Sequence, residues 1–368
     1  MQIRRITLVG FGLLASSVGA ALKQSNKKII VRAVSSSSTL ERAKELNLAD
    51  EFFKYEEVES WVEGSDLILL CGPILHILST LSTLSKITPS HPVLVSDIGS
   101  TKAKIGDIGS SLKAPFTFVG GHPMAGSEKR SLEHCDPSLF ENAYWFLCPL
   151  QETPESLYSP LSDLVSFLGS EIVLLSAKEH DSAMAWLSHM PQMVSSTLAG
   201  NMPARLIEKE LQHYAGRGFR DMTRIAGSSW NMWHDILLTN KDAVKLALDE
   251  FSEGIKRTQK AMECISEDDA DAHKVFVSGN CGRASLFAPG RNAANAFFEI
   301  TVRLKDCPGA ILGVMQPLAK AGVNIRDIEL MKVRENVAGT LLLAFKKEVE
   351  AAAAMKVLRL LDYEVKER

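Results

Sequence analysis

Short β-branched runs alternate with stretches of helical period from residue 3 to about residue 175. The runs are Ile6 to Val9, Ile29 to Val34, Leu67 to Cys71, Val93 to Asp97, Phe116 to Val119, Tyr144 to Cys148 and Ile172 to Leu175. Their alternation with helices predicts a doubly wound α/β sheet. Ligands of such sheets lie beyond the carboxyl ends of the strands. The residues just after each run, Gly10 and Gly12, Ser35, Gly72 and Pro73, Ser100 and His122, are therefore expected to share one crevice.

From about residue 177 the β-branched runs disappear and long helical patterns follow, including His180 to Met202, Asn231 to Leu238 and Lys241 to Cys264. They predict an all-helical domain. Val277 to Asn295 shows neither period, carries Pro289 and Gly290, and reads as a linker. Beyond it the pattern predicts a strand (Phe297 to Lys305), a helix (Ala310 to Ala321), two strands (Asn324 to Val333 and Gly339 to Phe345), a helix (Glu348 to Leu361) and a last strand (Tyr363 to Lys366). This βαββαβ order is that of a ferredoxin-like fold.

Composition sharpens the picture in three ways. A chain of 368 residues with 46% hydrophobic content can bury real cores in two or three domains. A net charge of -3 offers no general attraction to nucleic acid or an anionic membrane, so an anionic ligand needs locally clustered cations. Six scattered cysteines, without a CxxC pair or zinc-ligand spacing, fit reduced thiols in a cytoplasmic protein without a metal site. Arg4 and Arg5 before ITLVGFGLLASSVGA imitate a signal peptide, but a buried first strand and glycine turn explain the segment better. No later apolar run reaches transmembrane length.

Gly10, Gly12 and Ala15 occupy the three positions of GxGxxG/A directly after a strand and at the start of a helix, with Leu13 and Leu14 between them. This Rossmann-like context places a dinucleotide pyrophosphate at the helix N-terminus. At the end of the second strand an acid is expected for the ribose hydroxyls of NAD, yet the chain reads Val34-Ser35-Ser36-Ser37-Ser38-Thr39. Hydroxyls there accommodate a ribose or its 2'-phosphate, and Arg42 is close. The choice between NAD and NADP stays open, with a lean toward tolerance of NADP. In FVGGHPMAGSE, His122 stands between Gly120, Gly121 and Pro123. Glycines permit close approach of backbone, and a neutral imidazole facing a nicotinamide can accept a hydroxyl proton near pH 7. A loop histidine satisfied by backbone is the competing reading.

GFGLLASSVG, DIGSTK, GGHPMAGSE, EHD, SHMP and GFRDMTRIA, followed by Met232 and Trp233, occur in the order and spacing of prephenate dehydrogenases. The chain resembles that family over nearly its whole length, and its C-terminal unit resembles an ACT domain. The resemblance implies a homodimeric, NAD(P)-dependent oxidative decarboxylation of prephenate to 4-hydroxyphenylpyruvate, in tyrosine biosynthesis. It divides the chain into a dinucleotide-binding domain (1–176), a helical substrate and dimerisation domain (177–290) and a regulatory domain (296–368).

The resemblance also implies roles. His122 takes the hydroxyl proton, and Ser100 bonds both that histidine and the substrate hydroxyl beside the cofactor. Arg224 pairs with the ring carboxylate, since a planar guanidinium suits a carboxylate. Asp221 orients Arg224, and Arg220 adds positive field; alternatively RDMTR is a solvated helix end with an i,i+3 charge pair. His189 helps place the substrate, with Ser188 in support and with His180 and Asp181 behind. Gln192 stands where the family commonly has a second histidine. Glu128 marks use of prephenate rather than arogenate. Trp233 covers the pocket or is plain core. In the ACT-like unit Asp306, Pro308, Gly309 and Ala310 form the amino-acid-binding turn and Asn324 and Ile325 the facing strand, so tyrosine is the expected feedback inhibitor; a domain that only stabilises a dimer is the alternative. Arogenate dehydrogenase and a non-catalytic amino-acid-sensing protein are the competing functions. A 3-hydroxyacid dehydrogenase leaves GGHPMAG and the C-terminal unit without explanation.

Overall fold

The computed structural model describes residues 3–25, 28–126, 131–151, 153–263, 265, 270–287, 298–305, 307–331 and 339–367. The chain divides into two compact units, Met1–Gly254 and Ile255–Arg368. Among the described residues no helix is long and apolar enough to cross a membrane.

The first unit is built on a sheet whose strands are β1 (Arg5–Val9), β2 (Ile30–Ser35), β3 (Glu51–Lys54), β4 (Leu67–Leu70), β5 (Val93–Asp97), β6 (Phe116–Pro123), β7 (Tyr144–Pro149) and β8 (Glu171–Leu174), in spatial order β3-β2-β1-β4-β5-β6-β7-β8. Helices α1 (Leu13–Gln24), α2 (Ser37–Glu45), α3 (Val58–Val62), α4 (Ile74–Leu84), α5 (Ala103–Gly109) and α6 (Glu155–Phe167) connect them. Strand β4 shows why the sheet is covered twice: Leu67 and Leu69 enter one apolar cluster, Ile68 and Leu70 the other. Each such fully buried side chain contributes roughly 1.5–3 kcal/mol. The chain runs outward through β2 and β3, then returns to β4 beside β1, which opens the crevice between Gly10 and Gly72. Gly10 has φ +90, and a Cβ there would stand 2.7 Å from the Gly72 nitrogen. Only glycine permits that approach.

Two local readings change. β3 is an edge strand of half-buried EFFK, too short and too mixed to stand out in sequence. β6 continues past Val119 to Pro123, because Gly120 to Pro123 pair antiparallel with β7, His122 opposite Phe146. His122 therefore projects from a strand and not from the loop after it.

The helical part comprises α7 (Ala177–Met184), a π-helical turn (Ala185–His189), α8 (Met190–Gly200), α9 (Ala204–Glu208), α10 (Arg217–Thr223), α11 (Trp230–Thr239) and α12 (Lys241–Glu263). A Ser176–Glu179 capping box starts α7. The predicted helix His180 to Met202 is thus interrupted just before Pro191, which occupies the first turn of α8 and has no N–H to donate.

In the second unit α13 (Ala270–Phe287) replaces the first half of the predicted linker. Phe276, Val277 and Leu286 are exposed on it, so no apolar stripe marked the helix in sequence. The remaining strands, β9 (Phe298–Leu304), β10 (Asp327–Met331), β11 (Gly339–Phe345) and β12 (Val365–Glu367), form an antiparallel sheet in the order β10-β11-β9-β12. Helices α14 (Ala310–Lys320) and α15 (Glu348–Arg359) cover it through Val314, Leu318, Ala354 and Leu358. Asn324 and Ile325 precede β10 instead of lying in it.

Candidate active site

His122 and the start of α7 meet at the carboxyl end of the sheet. His122 Nδ1 lies 2.8 Å from His180 Nε2, and His180 Nδ1 lies 2.8 Å from Asp181 Oδ1. Asp181 also accepts Lys102 N–H at 2.6 Å and Ala103 N–H at 2.8 Å. The tautomers follow from this order. An ionised carboxylate only accepts, so His180 carries its proton on Nδ1 and accepts at Nε2. His122 must then donate from Nδ1, which leaves its Nε2 lone pair as the free base. No described residue bonds that nitrogen. Burial, followed by His180, Lys102 and His189, holds the His122 pKa well below 6.5, so the ring is neutral at pH 7.

His189 closes the π turn and is buried. Its Nδ1 lies 3.1 Å from Asn240 Nδ2, which also donates to the Asp181 carbonyl at 2.8 Å. The amide donates, so His189 accepts at Nδ1 and keeps a proton on Nε2 for a substrate. Burial lowers its pKa to about 4. The Trp233 ring stands edge-on to it at 5.9 Å, which ties the tryptophan to the site as well as to the core. Ser188 is half-buried beside His189, without a described bond to it.

Ser100 lies half-buried on the turn after β5, one strand from His122, and no described hydrogen bond joins the two. Arg224 opens a 3-10 turn (Arg224–Gly227) after α10 and is exposed, as are Arg220 and Asp221. Among the described residues no ion pair joins Asp221 to Arg224, so the expected orienting contact is not formed. The turn is instead held by Gln192, whose Nε2 donates to the Ile225 carbonyl at 2.9 Å and whose Oε1 accepts from Ser228 at 3.2 Å. Gln192 was expected to face substrate; its amide is engaged by backbone and serine because the turn packs directly on α8. Glu128 and Asp306 lie outside the described residues.

The dinucleotide end is also built. Gly12 precedes α1, whose first intrahelical bond is Ser16 N–H to the Gly12 carbonyl at 2.9 Å. The N–H groups of Leu13, Leu14 and Ala15 therefore have no acceptor within the helix and suit a pyrophosphate. Ser35 ends β2, Ser36 immediately precedes α2, and Pro73 immediately precedes α4 after Gly72. An open cleft beside them is lined by Phe11, Gly12, Ser38, Thr39, Arg42, Leu132 and Glu133. The glycine approach, the unpaired N–H groups and this hydroxyl-rich cleft fit a nicotinamide dinucleotide. Asp97 and Lys102 bound the DIGSTK motif without an assigned role in the sequence reading, whereas Asn240 and Glu133 carry no signal in sequence.

Residues 18–174 match the nucleotide-binding domain of prephenate dehydrogenase, and residues 176–277 match its dimerization domain. The prephenate dehydrogenase of Bacillus subtilis (strain 168) is 32% identical over 348 residues, which are 93% of this chain and 92% of that protein. Among solved structures, prephenate dehydrogenase from A. aeolicus in complex with hydroxyphenyl propionate and NAD+ is 26% identical. It superposes with a TM-score of 0.69 and covers 78% of this chain and 99% of its own. Synechocystis arogenate dehydrogenase is 28% identical, with a TM-score of 0.67 over 77% of this chain and 99% of its own. Identity of this extent along almost the whole of two chains, on one α/β and helical architecture, makes this protein a member of the prephenate dehydrogenase family.

Proposed function

We propose that the chain is an NAD(P)-dependent prephenate dehydrogenase acting in tyrosine biosynthesis. The observation that carries this reading is the Asp181–His180–His122 series, which delivers a neutral imidazole with a free Nε2. A bound nicotinamide supplies the hydride acceptor. As hydride leaves the carbinol carbon, His122 Nε2 takes the hydroxyl proton. The bond to the ring carboxylate then breaks, its electrons aromatise the ring, carbon dioxide departs, and His122 returns the proton to the phenolic oxygen. Atoms and charge balance without a further reagent.

Around that step Ser100 and the Nε2–H of His189 bond the substrate, Arg224 binds a carboxylate with field from Arg220, and Trp233 bounds the pocket. Asp221 and Ser188 stand close to Arg224 and His189 in sequence without a described bond to them, and Glu128 selects prephenate over arogenate. The pyrophosphate lies on Leu13, Leu14 and Ala15 past Gly10 and Gly12, with Ser35, Ser36, Gly72, Pro73 and Ser100 along the cofactor. Domains spanning 1–176, 177–290 and 296–368 carry these parts in a cytoplasmic homodimer. Following NAD(P)H absorbance with prephenate and with arogenate, each with NAD and NADP, tests the reading: turnover of prephenate is expected, and turnover of arogenate alone makes the protein the other enzyme of this family.

The C-terminal unit reads as an ACT-type module that binds tyrosine. Its element order supports this, as does a cleft of about 240 Å³ lined by Leu304, Lys305, Cys307, Gly309, Ala310, Leu312 and Leu330 at the start of α14. Pro308, Asn324 and Ile325 adjoin that region in sequence, and Gly309 has φ +83. Gly309→Val in the full-length chain strains this turn and is expected to abolish inhibition by tyrosine; inhibition that stays unchanged and competitive with prephenate assigns tyrosine to the active site instead.

A further inference from the structure

Behind His122 lies an ion pair that the reaction itself does not use. Asp97 ends β5, Lys102 immediately precedes α5, and their side chains are 0% and 1% exposed. The ammonium bonds the carboxylate directly. A buried pair of this kind is weak evidence for a stabilising role, because removing two charges from water offsets much of their attraction. Its other contacts show what it acts on. Asp97 Oδ2 accepts Gly99 N–H at 2.8 Å, and Oδ1 accepts Gly121 N–H at 3.1 Å. Lys102 Nζ donates to the Gly121 carbonyl at 2.7 Å. The peptide units that precede Ser100 and His122 are thus gripped by the same two side chains, Gly121 at both its N–H and its C=O. Glycine is required there, since a Cβ would lie 2.5 Å from the Asp97 carbonyl oxygen.

The grip extends to the second carboxylate. The Lys102 backbone N–H is one of the donors that fix Asp181, which orders His180 and through it His122. One residue therefore holds the strand behind His122 with its side chain and the imidazole series in front with its backbone.

We propose that Asp97 and Lys102 are positioning residues for the reaction, locking the peptides before Ser100 and His122 into one frame so that hydroxyl and imidazole converge on the same substrate oxygen. This rests on His122 being the base. Lys102 also acts on that base by charge. The groups facing His122 are His180 and, behind it, Asp181 on α7, His189 on the π turn, Lys102 before α5 and Asp97 on β5, with the Phe146 ring from β7. Lys102 is the fixed cation among them and disfavours a second positive charge on the imidazole.

The test is Lys102→Met, which keeps the stem and removes the ammonium. Burial already raises the Asp97 pKa, so a neutral Asp97 can remain in place. The expected result is NAD+ affinity by calorimetry within about threefold of wild type, a KM for prephenate nearly unchanged, and a kcat lower by on the order of 10²-fold, the scale of an ångström of misplacement. A kcat within threefold of wild type, or a KM for prephenate that rises as far as kcat falls, overturns the proposal. Hydrogen exchange in the unmodified enzyme decides if the variant does not fold. The amides of Gly99 and Gly121 are expected among the slowest in the chain, and rapid exchange there overturns the proposal. A wild-type protein that oxidises neither prephenate nor arogenate overturns the functional reading and the proposal together, whereas an active wild type with an unaffected Lys102→Met overturns the proposal alone.

Discussion

His122 Nδ1 and His180 Nε2 face each other at 2.8 Å within a buried site, and the direction of the proton between them is set two bonds away by Asp181. The carboxylate is the only member of the series that cannot donate, so it determines which nitrogen of His122 remains basic.

Asp181→Asn breaks that order. Lys102 N–H and His180 Nδ1 both approach Oδ1 and Ala103 N–H approaches Oδ2, so the NH2 group of an asparagine faces a backbone N–H whichever way the amide turns. The side chain is displaced, the His180 tautomer is no longer fixed, and His122 Nε2 is no longer held as the free base. The expected outcome is a kcat lower by roughly 10²- to 10⁴-fold, approaching that of His122→Asn, with NAD+ affinity retained. Steady-state kinetics with calorimetric cofactor binding checks it, and near-normal turnover removes the relay from the mechanism.

Two buried neutral histidines make stability depend on pH in a defined direction. Burial lowers the His122 pKa, and that of His189 to about 4, whereas in the unfolded chain both titrate near 6.5. As pH falls below 6.5 the unfolded state binds protons that the folded state refuses, so stability is full above that value and declines toward about pH 4. A thermal midpoint that falls between pH 7 and 5, and falls less in His189→Asn, is expected. A midpoint independent of pH over that range contradicts the assignment of neutral buried rings.

Gln192→Leu tests the support of the Arg224 turn. The substitution removes the 2.9 Å bond from α8 to the Ile225 carbonyl, which keeps its donors from Ser228, so the loss is that of one part-buried hydrogen bond, roughly 0.5–1.5 kcal/mol. The KM for prephenate is expected to rise on the order of tenfold while cofactor affinity is unchanged. Equal losses of both would mark a general folding defect.

Cofactor preference is predicted from charge at the Gly12 cleft. Arg42, the cation a 2'-phosphate would seek, is already held by Glu45 at 2.6 Å and by Glu133 at 3.5 Å. The hydroxyls of Ser36, Ser38 and Thr39 suit a ribose or its 2'-phosphate, but a 2'-phosphate would compete with these two acids for the guanidinium. Tighter binding of NAD+ than of NADP+ is expected, with Glu133→Gln narrowing the gap about twofold to fivefold, a scale suited to an exposed pair. Calorimetric titrations with both nucleotides measure it, and equal affinities in the wild type refute it.

The sequence was most readable where burial was two-sided. β1, β4 and β5 stand out because every turn of their pleat faces apolar neighbours, and the Gly10 and Gly12 turn because glycine has few other reasons to sit there. β3 did not, being a half-buried edge. Nor did α13, whose exposed apolar residues follow no stripe. The site divides the same way. Two glycines and a proline around His122 give a local signature, whereas its supports are joined only by the fold: Asp181 meets Lys102 across 79 positions and Asn240 across 59. No periodicity reports such pairs.

The π turn at Ala185–His189 has a consequence for how this site can change. An α-helix advances about 100° per residue, so His180 and His189 would face nearly opposite sides of an unbroken helix. The wider turn rephases α8 and brings both imidazoles within electrostatic reach of His122. Wider turns are rare in helices and are often retained at functional sites. A regular helix of unchanged length would rotate His189 and Gln192 away together, whereas loss of one residue, such as exposed Trp186, leaves eight steps between the histidines and sets them only about 80° apart on a regular helix. Natural variation at this joint should therefore show either the wide turn or a regular helix one residue shorter, and not a regular helix of the present length.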